Sequence, residues 1–464
     1  MNFRTSLFVS TAIALVVACG STTTSEFGDG VKKKGDGDVP PNTGIIGGGG
    51  DGGADAKPCT NLCQKQVQCT GGGTTSLSGV IKDPAGKVPL YNVLVYVPNA
   101  PVAPIVTGAS CERCGKVSGE PLVSAITDAA GKFKLDNIPV GANIPLVIQV
   151  GKWRRQITIP SVAECTDTPL DATLSRLPRN KAEGDLPQMA LASGNADPFE
   201  CLLTKMGLDV AEFTPDSANG RVHYFRENGV DMSPATPAAS TLYDDPAKLK
   251  KYDIVFLPCE GSQRDKGPTP DQNLVDYTAI GGRVFTTHYS YAWLHLGAGT
   301  FPTTGVWQPE QGDKYSSTVP QMATINQAFP KGAAFAEWLV NVQASTQLGQ
   351  LGLLEARHDL NSASDPPSTT WMTVNDMPTT DPKATMHITF NTPTDVPEPQ
   401  QCGRVVFSDF HVSASAKTNV NTFPQSCKDG DLTPQEKALE FMLFDLSSCI
   451  QSDKAPPTPP AVVK

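Results

Sequence analysis

The sequence predicts a multidomain protein in which a small all-β sandwich precedes an α/β domain with three layers. The first half alternates short apolar strands with turn-forming residues, the pattern of a small sandwich. The second half contains two apolar runs, Ile254–Leu257 and Arg283–Thr287, with helical spacing between them at 271–280. Apolar strands joined by a helix are typical of a parallel sheet covered by helices.

Composition divides the chain into five segments. They are a signal peptide at 1–18, a lipidated cysteine with a flexible Gly- and Asp-rich tether at 19–57, a cysteine-containing β-sandwich at 58–180, an α/β domain at 185–450 with a long insertion at about 297–400, and a disordered proline-rich tail at 451–464. The net charge of −10 argues against a nucleic-acid partner, because phosphate binding needs clustered Lys and Arg side chains.

The amino terminus has the pattern of an export signal. Arg4 precedes the apolar run Leu7–Ala18, which is too short to cross a bilayer core of about 30 Å. Val16–Ala18 followed by Cys19 resembles the lipobox of bacterial lipoproteins. The resemblance implies that Cys19 is lipidated and that the mature protein is exported and anchored to a membrane, in the outer membrane or at the cell surface.

The first domain has clear turn and strand signals. Asp83–Gly86 has turn chemistry, and Tyr91–Val97 alternates as a half-buried strand does. With Thr127–Phe133, these stretches resemble the carboxypeptidase regulatory-like domain, a transthyretin-like β-sandwich. The resemblance implies a structural or binding role without catalysis.

Polar residues follow the predicted strands of the α/β domain. Those after the two apolar runs at 254–257 and 283–287 are Cys259, Glu260, Ser262, His288, Tyr289 and Ser290. In open parallel sheets, ligands bind where strands end at their carboxyl edge. The predicted binding residues are therefore Glu260, Ser262, Tyr289, Ser290 and, after a later strand, Asp409.

The same stretches resemble class I glutamine amidotransferase-like proteins. Leu257–Gly261 resembles the turn that helps to form the family's oxyanion site. Val284–Ser290 resembles the strand and nucleophile elbow, with His288 where the family has its catalytic Cys. Gly403–His411 resembles the strand that delivers the catalytic His, with His411 at that place. The resemblance implies a flavodoxin-like fold with altered catalytic machinery.

Two helix starts are visible beside these strands. Asp197 and Pro198 predict the capped start of a helix at 199–206. Thr433–Glu436 is a capping box with proline at the first helical position, and it predicts the start of the last helix.

Twelve cysteines in an exported chain favour disulfide bonds. The six in the first half can pair within the sandwich, which makes Cys111 and Cys114 disulfide candidates. A metal site at Cys59, Cys63, Cys111 and Cys114 is a weaker alternative, because no His accompanies the cluster and the compartment is oxidising. A redox pair at Cys111 and Cys114 is also weaker, because these residues lie in a Gly- and Ser-rich loop. We expect no metal and no cofactor.

Two pairings are predicted in the second half. Cys402 and Cys427 are expected to bridge, closing one loop before the last helix. Cys201 and Cys259 are expected to be bonded or closely packed, because the first and third strands are neighbours in a flavodoxin-like order.

Three functions are compatible with these residues. The first is a non-catalytic envelope lipoprotein that binds an envelope protein or polysaccharide. The second is a hydrolase or amidotransferase-like enzyme with Cys259 as nucleophile and His288 or His411 as base. The third is a carbohydrate-active domain with Glu260 and Asp409 as paired carboxylates. We favour the first, because His288 stands at the nucleophile position. A free Cys259 close to a histidine would instead favour the enzyme.

Overall fold

The computed structural model describes residues 59–115, 117–229, 231–309, 318–375, 383–412, 423–424 and 430–462. The predicted signal peptide, Cys19, the tether and Cys427 lie outside the described residues. Among those that are described, no helix is long and apolar enough to span a membrane. The described residues belong to one unit that begins at Ala56.

Seven strands at the start of the described chain form two small sheets. They are β1 (Ser76–Val80), β2 (Leu94–Pro98), β3 (Pro121–Ile126), β4 (Lys132–Asp136), β5 (Gly141–Val150), β6 (Trp153–Val162) and β7 (Asp167–Pro169). One sheet has the order β4-β1-β7 and the other β3-β2-β5-β6. Their apolar side chains, including Leu77 and Ile148, are buried in one cluster. The strand predicted within 91–97 is confirmed, and the transthyretin-like resemblance stays a prediction.

Ten of the remaining strands form one large sheet. In chain order, the twelve remaining strands among the described residues are β8 (Met189–Ala192), β9 (Phe213–Thr214), β10 (Val222–Phe225), β11 (Ile254–Leu257), β12 (Arg283–Thr287), β13 (Gly305–Trp307), β14 (Gln321–Ile325), β15 (Gln350–Leu353), β16 (Leu360–Ala363), β17 (Thr369–Val374), β18 (Ala384–Thr392) and β19 (Gly403–Ser408). The sheet order is β15-β14-β17-β18-β19-β12-β11-β8-β10-β9, and β13 pairs with β16 separately.

The parallel part of this sheet has the predicted strand order. Strands β10, β8, β11, β12 and β19 lie side by side and are all parallel. Numbered along the chain, this is the flavodoxin-like order, in which the first and third strands are neighbours. The predicted insertion adds β14, β15, β17 and β18 as antiparallel strands beyond β19.

Helices cover both faces of the sheet. They are α1 (Phe199–Lys205), α2 (Ser240–Tyr243), α3 (Pro246–Leu249), α4 (Pro268–Ala279), α5 (Ala292–His295), α6 (Pro330–Asn341) and α7 (Pro434–Ser447). Successive residues of a strand point to opposite faces of the sheet, so they belong to different hydrophobic clusters. Phe256 belongs to the cluster that contains residues of α1, α6 and α7, whereas Val255 belongs to the cluster that contains residues of α2, α3 and α4. The predicted capping box is confirmed, because Thr433 and Glu436 bond each other's backbone at the start of α7.

Two disulfides join the small sheets to the α/β region and correct the predicted pairing. Cys111 is bonded to Cys402, and Cys114 is bonded to Cys449. The predicted Cys402–Cys427 bridge is therefore wrong, and Cys111 and Cys114 form neither a redox pair nor a bridge within the first half. The reason is that their loop lies against the α/β region, where Arg113 donates to the carbonyls of residues 398 and 401.

The remaining first-half cysteines pair locally, as Cys59–Cys63 and Cys69–Cys165. The segment predicted as a disordered tail is ordered at its start, because Asp453 is buried between Lys331 and Arg404.

Candidate functional site

Four polar residues meet at the carboxyl edge of the parallel strands. Asp197 follows β8, Cys259 follows β11, His288 follows β12 directly, and His411 follows β19. The strands are neighbours and parallel, so their ends bring residues from distant parts of the chain to one place. All four side chains are buried: the residues are 0%, 0%, 2% and 4% exposed, respectively.

Cys259 and His288 form a direct contact. The Cys259 Sγ atom lies 3.2 Å from Nδ1 of His288, and the amide of Gly261 donates to Sγ at 3.4 Å. Burial, and then the negative charge of Asp197, raises the pKa of the Cys259 thiol well above its ordinary range. Burial also lowers the pKa of His288 far below its ordinary value, with further contributions from His411 and Arg357. Both shifts disfavour the charged thiolate–imidazolium form of the pair.

The predicted bridge between Cys201 and Cys259 can now be compared with the structure. Cys259 is a free, buried thiol, and Cys201 is itself disulfide-bonded, so the predicted bridge between them is wrong. The strand order behind the prediction is correct, but the thiol of Cys259 approaches the histidine after β12 instead of the cysteine on α1. Of the two outcomes considered, the structure has a free Cys259 with a short contact to a histidine, which is the outcome that we expected to favour the Cys–His enzyme.

His288 adopts an unusual backbone conformation. Its φ is +36°, a left-handed value that residues other than glycine rarely adopt. It begins a short 3₁₀ turn, His288–Tyr291, immediately after β12. The Tyr289 ring lies against it, with ring centroids 3.9 Å apart. The predicted elbow position therefore carries a sharp, strained turn that holds the imidazole at the sheet edge.

A carboxylate lies next to one ring nitrogen of each histidine. Nε2 of His288 lies 3.5 Å from Oδ2 of Asp359, and Nδ1 of His411 lies 2.8 Å from Oδ1 of Asp197. Burial acts to raise the pKa of Asp197, but His411 and hydrogen bonds from Thr287 and Val412 lower it below its ordinary value. Asp197 is therefore an ionised, buried carboxylate with a full set of partners.

Thr287 connects the two halves of the cluster. Its hydroxyl donates to Asp197 at 2.5 Å and accepts the Cys259 amide at 3.0 Å. Asp359 is positioned in turn by Asp409, whose carboxylate accepts the Asp359 amide at 2.7 Å. Thr287 and Asp409 thus help to hold Asp197 and Asp359, the two carboxylates that lie next to His411 and His288, respectively.

The predicted binding residues are not all at the cluster. Asp409 supports Asp359, and the Ser290 hydroxyl donates to the Pro258 carbonyl at 2.9 Å, which pins the turn before Cys259. Glu260 is paired with Lys266 at 2.8 Å, and Ser262 is exposed. The structure therefore brings Cys259, His288 and His411 together, with Tyr289, Ser290 and Asp409 as their support.

Asp197, Thr287 and Asp359 were missed in the sequence. Asp197 was predicted to cap α1, yet the cap position is Pro198 and no side chain caps the helix there. The available signal was the position of Asp197 after the first strand of the sheet, next to the strand that carries Cys259. Asp359 lies in the insertion, and nothing in the local pattern connects it to His288.

Comparisons with known proteins give only weak likenesses. No protein-family model matches the sequence, and no curated protein shows significant similarity to it. Similar solved structures include ThuA-like proteins of Bacteroides uniformis (9% identity, TM-score 0.30, covering 58% of this chain and 92% of that one) and Parabacteroides merdae (12%, 0.29, 59% and 93%). Another is the carbohydrate deacetylase Agd3 (10%, 0.25, 48% and 29%). Such scores carry no argument about function.

Proposed function

We propose that this protein is an exported, lipid-anchored envelope protein whose α/β region binds a ligand at the Cys259 cluster without using Cys259 as a nucleophile. The observation that supports this role is the complete burial of the thiol, which also raises its pKa. A cysteine nucleophile reacts as the thiolate, which requires a lowered pKa and access to a substrate. Cys259 has a raised pKa and no exposed surface.

Alkylation tests this proposal. Folded protein is treated with iodoacetamide between about pH 7 and pH 9, and labelling of the Cys259 peptide is quantified against urea-unfolded protein. A Cys259→Ser variant identifies the signal that belongs to this residue. We expect the folded protein to resist labelling and the unfolded protein to react fully. Rapid labelling of folded protein near pH 7 would contradict the proposal.

A Cys–His hydrolase is the second candidate, and one geometric observation favours it. His288 contacts Cys259 through Nδ1 and Asp359 through Nε2, so a thiol, an imidazole and a carboxylate lie in sequence, as in a catalytic triad. An enzyme of this kind should release a burst of product from an activated ester and retain an acyl group on Cys259. Absence of both, in protein that is folded, would exclude it.

A carbohydrate-active role has less support. It would use Glu260 and Asp409 as its paired carboxylates. Glu260 is held by Lys266 and Asn228, and Asp409 is held by the Asp359 amide, so both carboxylates serve other contacts.

The membrane anchor is part of the proposal and rests on the sequence. Protein expressed with its leader should partition into the detergent phase, and Cys19→Ala should release it or leave the precursor uncleaved. The proposed envelope protein or polysaccharide partner should then be retained with the anchored form. Soluble, unacylated wild-type protein would contradict the anchor while leaving the site unaffected.

A further inference from the structure

We infer that Cys259, His288 and His411 form a binding site for a thiolate-accepting transition-metal ion, either zinc or copper. This inference rests on the proposed binding function and names its ligand. One donor atom from each residue lies within 4.8 Å of the others, and all three side chains are buried. The three residues come from three different strand ends, so the folded sheet edge, not a local motif, assembles them.

The donor types select the class of metal. A cysteine sulfur and two imidazole nitrogens suit zinc and copper, whereas magnesium and calcium prefer oxygen donors. A small ion also suits a fully buried cluster better than an organic substrate does. The earlier expectation that the protein has no metal site is revised at this cluster.

The neighbouring carboxylates determine which ring nitrogen of each histidine faces the cluster. Asp359 lies against Nε2 of His288, which leaves Nδ1 facing Cys259. Asp197 holds Nδ1 of His411, so Nε2 is the nitrogen that remains for a ligand. A carboxylate on the outer nitrogen of each histidine is the arrangement that orients metal-binding imidazoles in proteins.

The spacing is close to that of a coordinated set. Bonds of about 2.3 Å to sulfur and about 2.0–2.1 Å to nitrogen in a tetrahedral site place the donor atoms roughly 3.3–3.6 Å apart. The Sγ–Nδ1 distance of 3.2 Å lies just below this range. The other donor atoms are at most 4.8 Å apart, and a side-chain movement of about 1 Å would bring them to the distances of a coordinated set.

Binding of the metal ion releases one proton, and the protein supplies negative charge around the cation. The thiol proton of Cys259 leaves to solvent, the thiolate takes its place on the metal, and both histidines bind as neutral imidazoles. No oxidation or reduction is involved for zinc or for copper supplied as Cu⁺. The thiolate and the two carboxylates supply three negative charges around the cation, and Arg357 supplies a positive charge close enough to act on Cys259 and His288.

Cobalt titration tests the site directly. Metal-free full-length protein is titrated anaerobically with Co²⁺, whose bond to a thiolate adds an intense near-ultraviolet band and whose visible bands report the coordination number. Zn²⁺ and Cu⁺ are then compared as competitors, with Mg²⁺ as a negative control. We expect one equivalent of Co²⁺ to give the thiolate band, Zn²⁺ or Cu⁺ to displace it, and Mg²⁺ to have no effect.

Variants connect the signal to the residues. Cys259→Ser should abolish the thiolate band, and Asp197→Asn, which removes the charged partner of His411 and Thr287, should weaken binding by roughly 10–100-fold. His295→Gln, a histidine on α5 outside the cluster, is the matched control and should bind as the wild type does. If a cluster variant does not fold, X-ray absorption of the wild-type zinc complex replaces it and should show one sulfur and two imidazole neighbours.

The outcomes separate this inference from the proposed function. Absence of stoichiometric Co²⁺, Zn²⁺ and Cu⁺ binding, or a metal signal unchanged in Cys259→Ser, would overturn the metal site. If Cys259 still resists iodoacetamide in that case, the non-nucleophilic binding role stands. An acyl group trapped on Cys259 would instead overturn the proposed function, whatever the metal result.

Discussion

The two ends of strand β19 carry two buried polar clusters that are built differently. At its start, Arg404 contacts Asp445 and Asp453, each at 2.6 Å, and Lys331 contacts the same two carboxylates at 2.8 and 3.2 Å. Beyond its carboxyl end, His411 meets Cys259 and His288. The first cluster, which we call the ion network, pairs two cations with two anions, whereas the second gathers one sulfur atom and two imidazole rings.

The difference shows what makes a buried polar cluster a candidate site. In the ion network, burial acts to raise the pKa of Asp453, but the charges of Arg404 and Lys331 lower it, so every charge is compensated within the protein. At the Cys259 cluster, each carboxylate lies beside one ring nitrogen of a histidine, and one donor atom of each histidine lies within 4.8 Å of the thiol sulfur. The ion network stabilises the fold, and the cluster is arranged to receive a ligand.

Breaking the ion network should have the largest effect on stability. Arg404→Met removes a buried cation and leaves two carboxylates with only Lys331, so we expect a loss of about 3–5 kcal/mol in the free energy of unfolding. Urea denaturation measures it. Lys454→Met, which breaks the exposed Lys454–Asp365 pair, is the control and should change stability by about 0–1 kcal/mol. Equal effects of the two substitutions would contradict the distinction.

Glu440 is a buried carboxyl group outside both clusters. Neither of its carboxyl oxygens has a hydrogen-bond partner among the described residues. Burial, and then the negative charge of Asp83, raises the pKa of Glu440 well above 4.5, and the charge of Lys437 acts in the opposite direction. The folded protein thus keeps a proton that the unfolded chain loses, so stability falls as pH rises above about 4.5.

Glu440→Gln should remove this pH dependence. Relative to the variant, the wild type should lose up to about 1.4 kcal/mol of stability per pH unit between pH 5 and the folded-state pKa. Urea denaturation of both proteins at several pH values gives the difference. Because the pKa of Asp83 is also raised, to about 6, the comparison is made with Asp83 present in both proteins. Parallel stability curves would show that Glu440 does not titrate on unfolding.

The Cys259 cluster should be less costly to disturb than the ion network. In metal-free protein, Cys259→Ala leaves Nδ1 of His288 and the Gly261 amide without their sulfur partner, and we expect a loss of about 1–3 kcal/mol. Denaturation with and without one equivalent of Zn²⁺ is the measurement, and zinc should stabilise only the wild type. A loss as large as that of Arg404→Met would show that the cluster is chiefly structural.

Ser262→Ala should have the smallest effect. Ser262 follows the same strand as Cys259, but its side chain is exposed and takes no part in the cluster. We expect a change in stability within about 0.5 kcal/mol and unchanged Co²⁺ affinity. A marked loss of Co²⁺ binding would mean that the site extends to the surface along the loop after β11.

Much of the α/β architecture was determined by the sequence alone. The apolar runs before Cys259 and His288 specified two neighbouring parallel strands, and the capping box at Thr433 specified the start of α7. These features depend on interactions between residues close in the chain, such as strand alternation and helix capping. The meeting of Cys259, His288 and His411 follows from them, because parallel strands share a carboxyl edge.

Only the tertiary structure decided which distant residues complete these clusters. Cys402 was expected to bond a cysteine in a nearby loop, yet its partner Cys111 is 291 positions away. Asp197 has the local pattern of a helix cap, yet its carboxylate is bonded to His411, 214 positions away. A helix cap stabilises a folded protein by only about 1 kcal/mol. The contacts of a buried carboxylate or a disulfide depend instead on how whole segments pack, which no short stretch of sequence records.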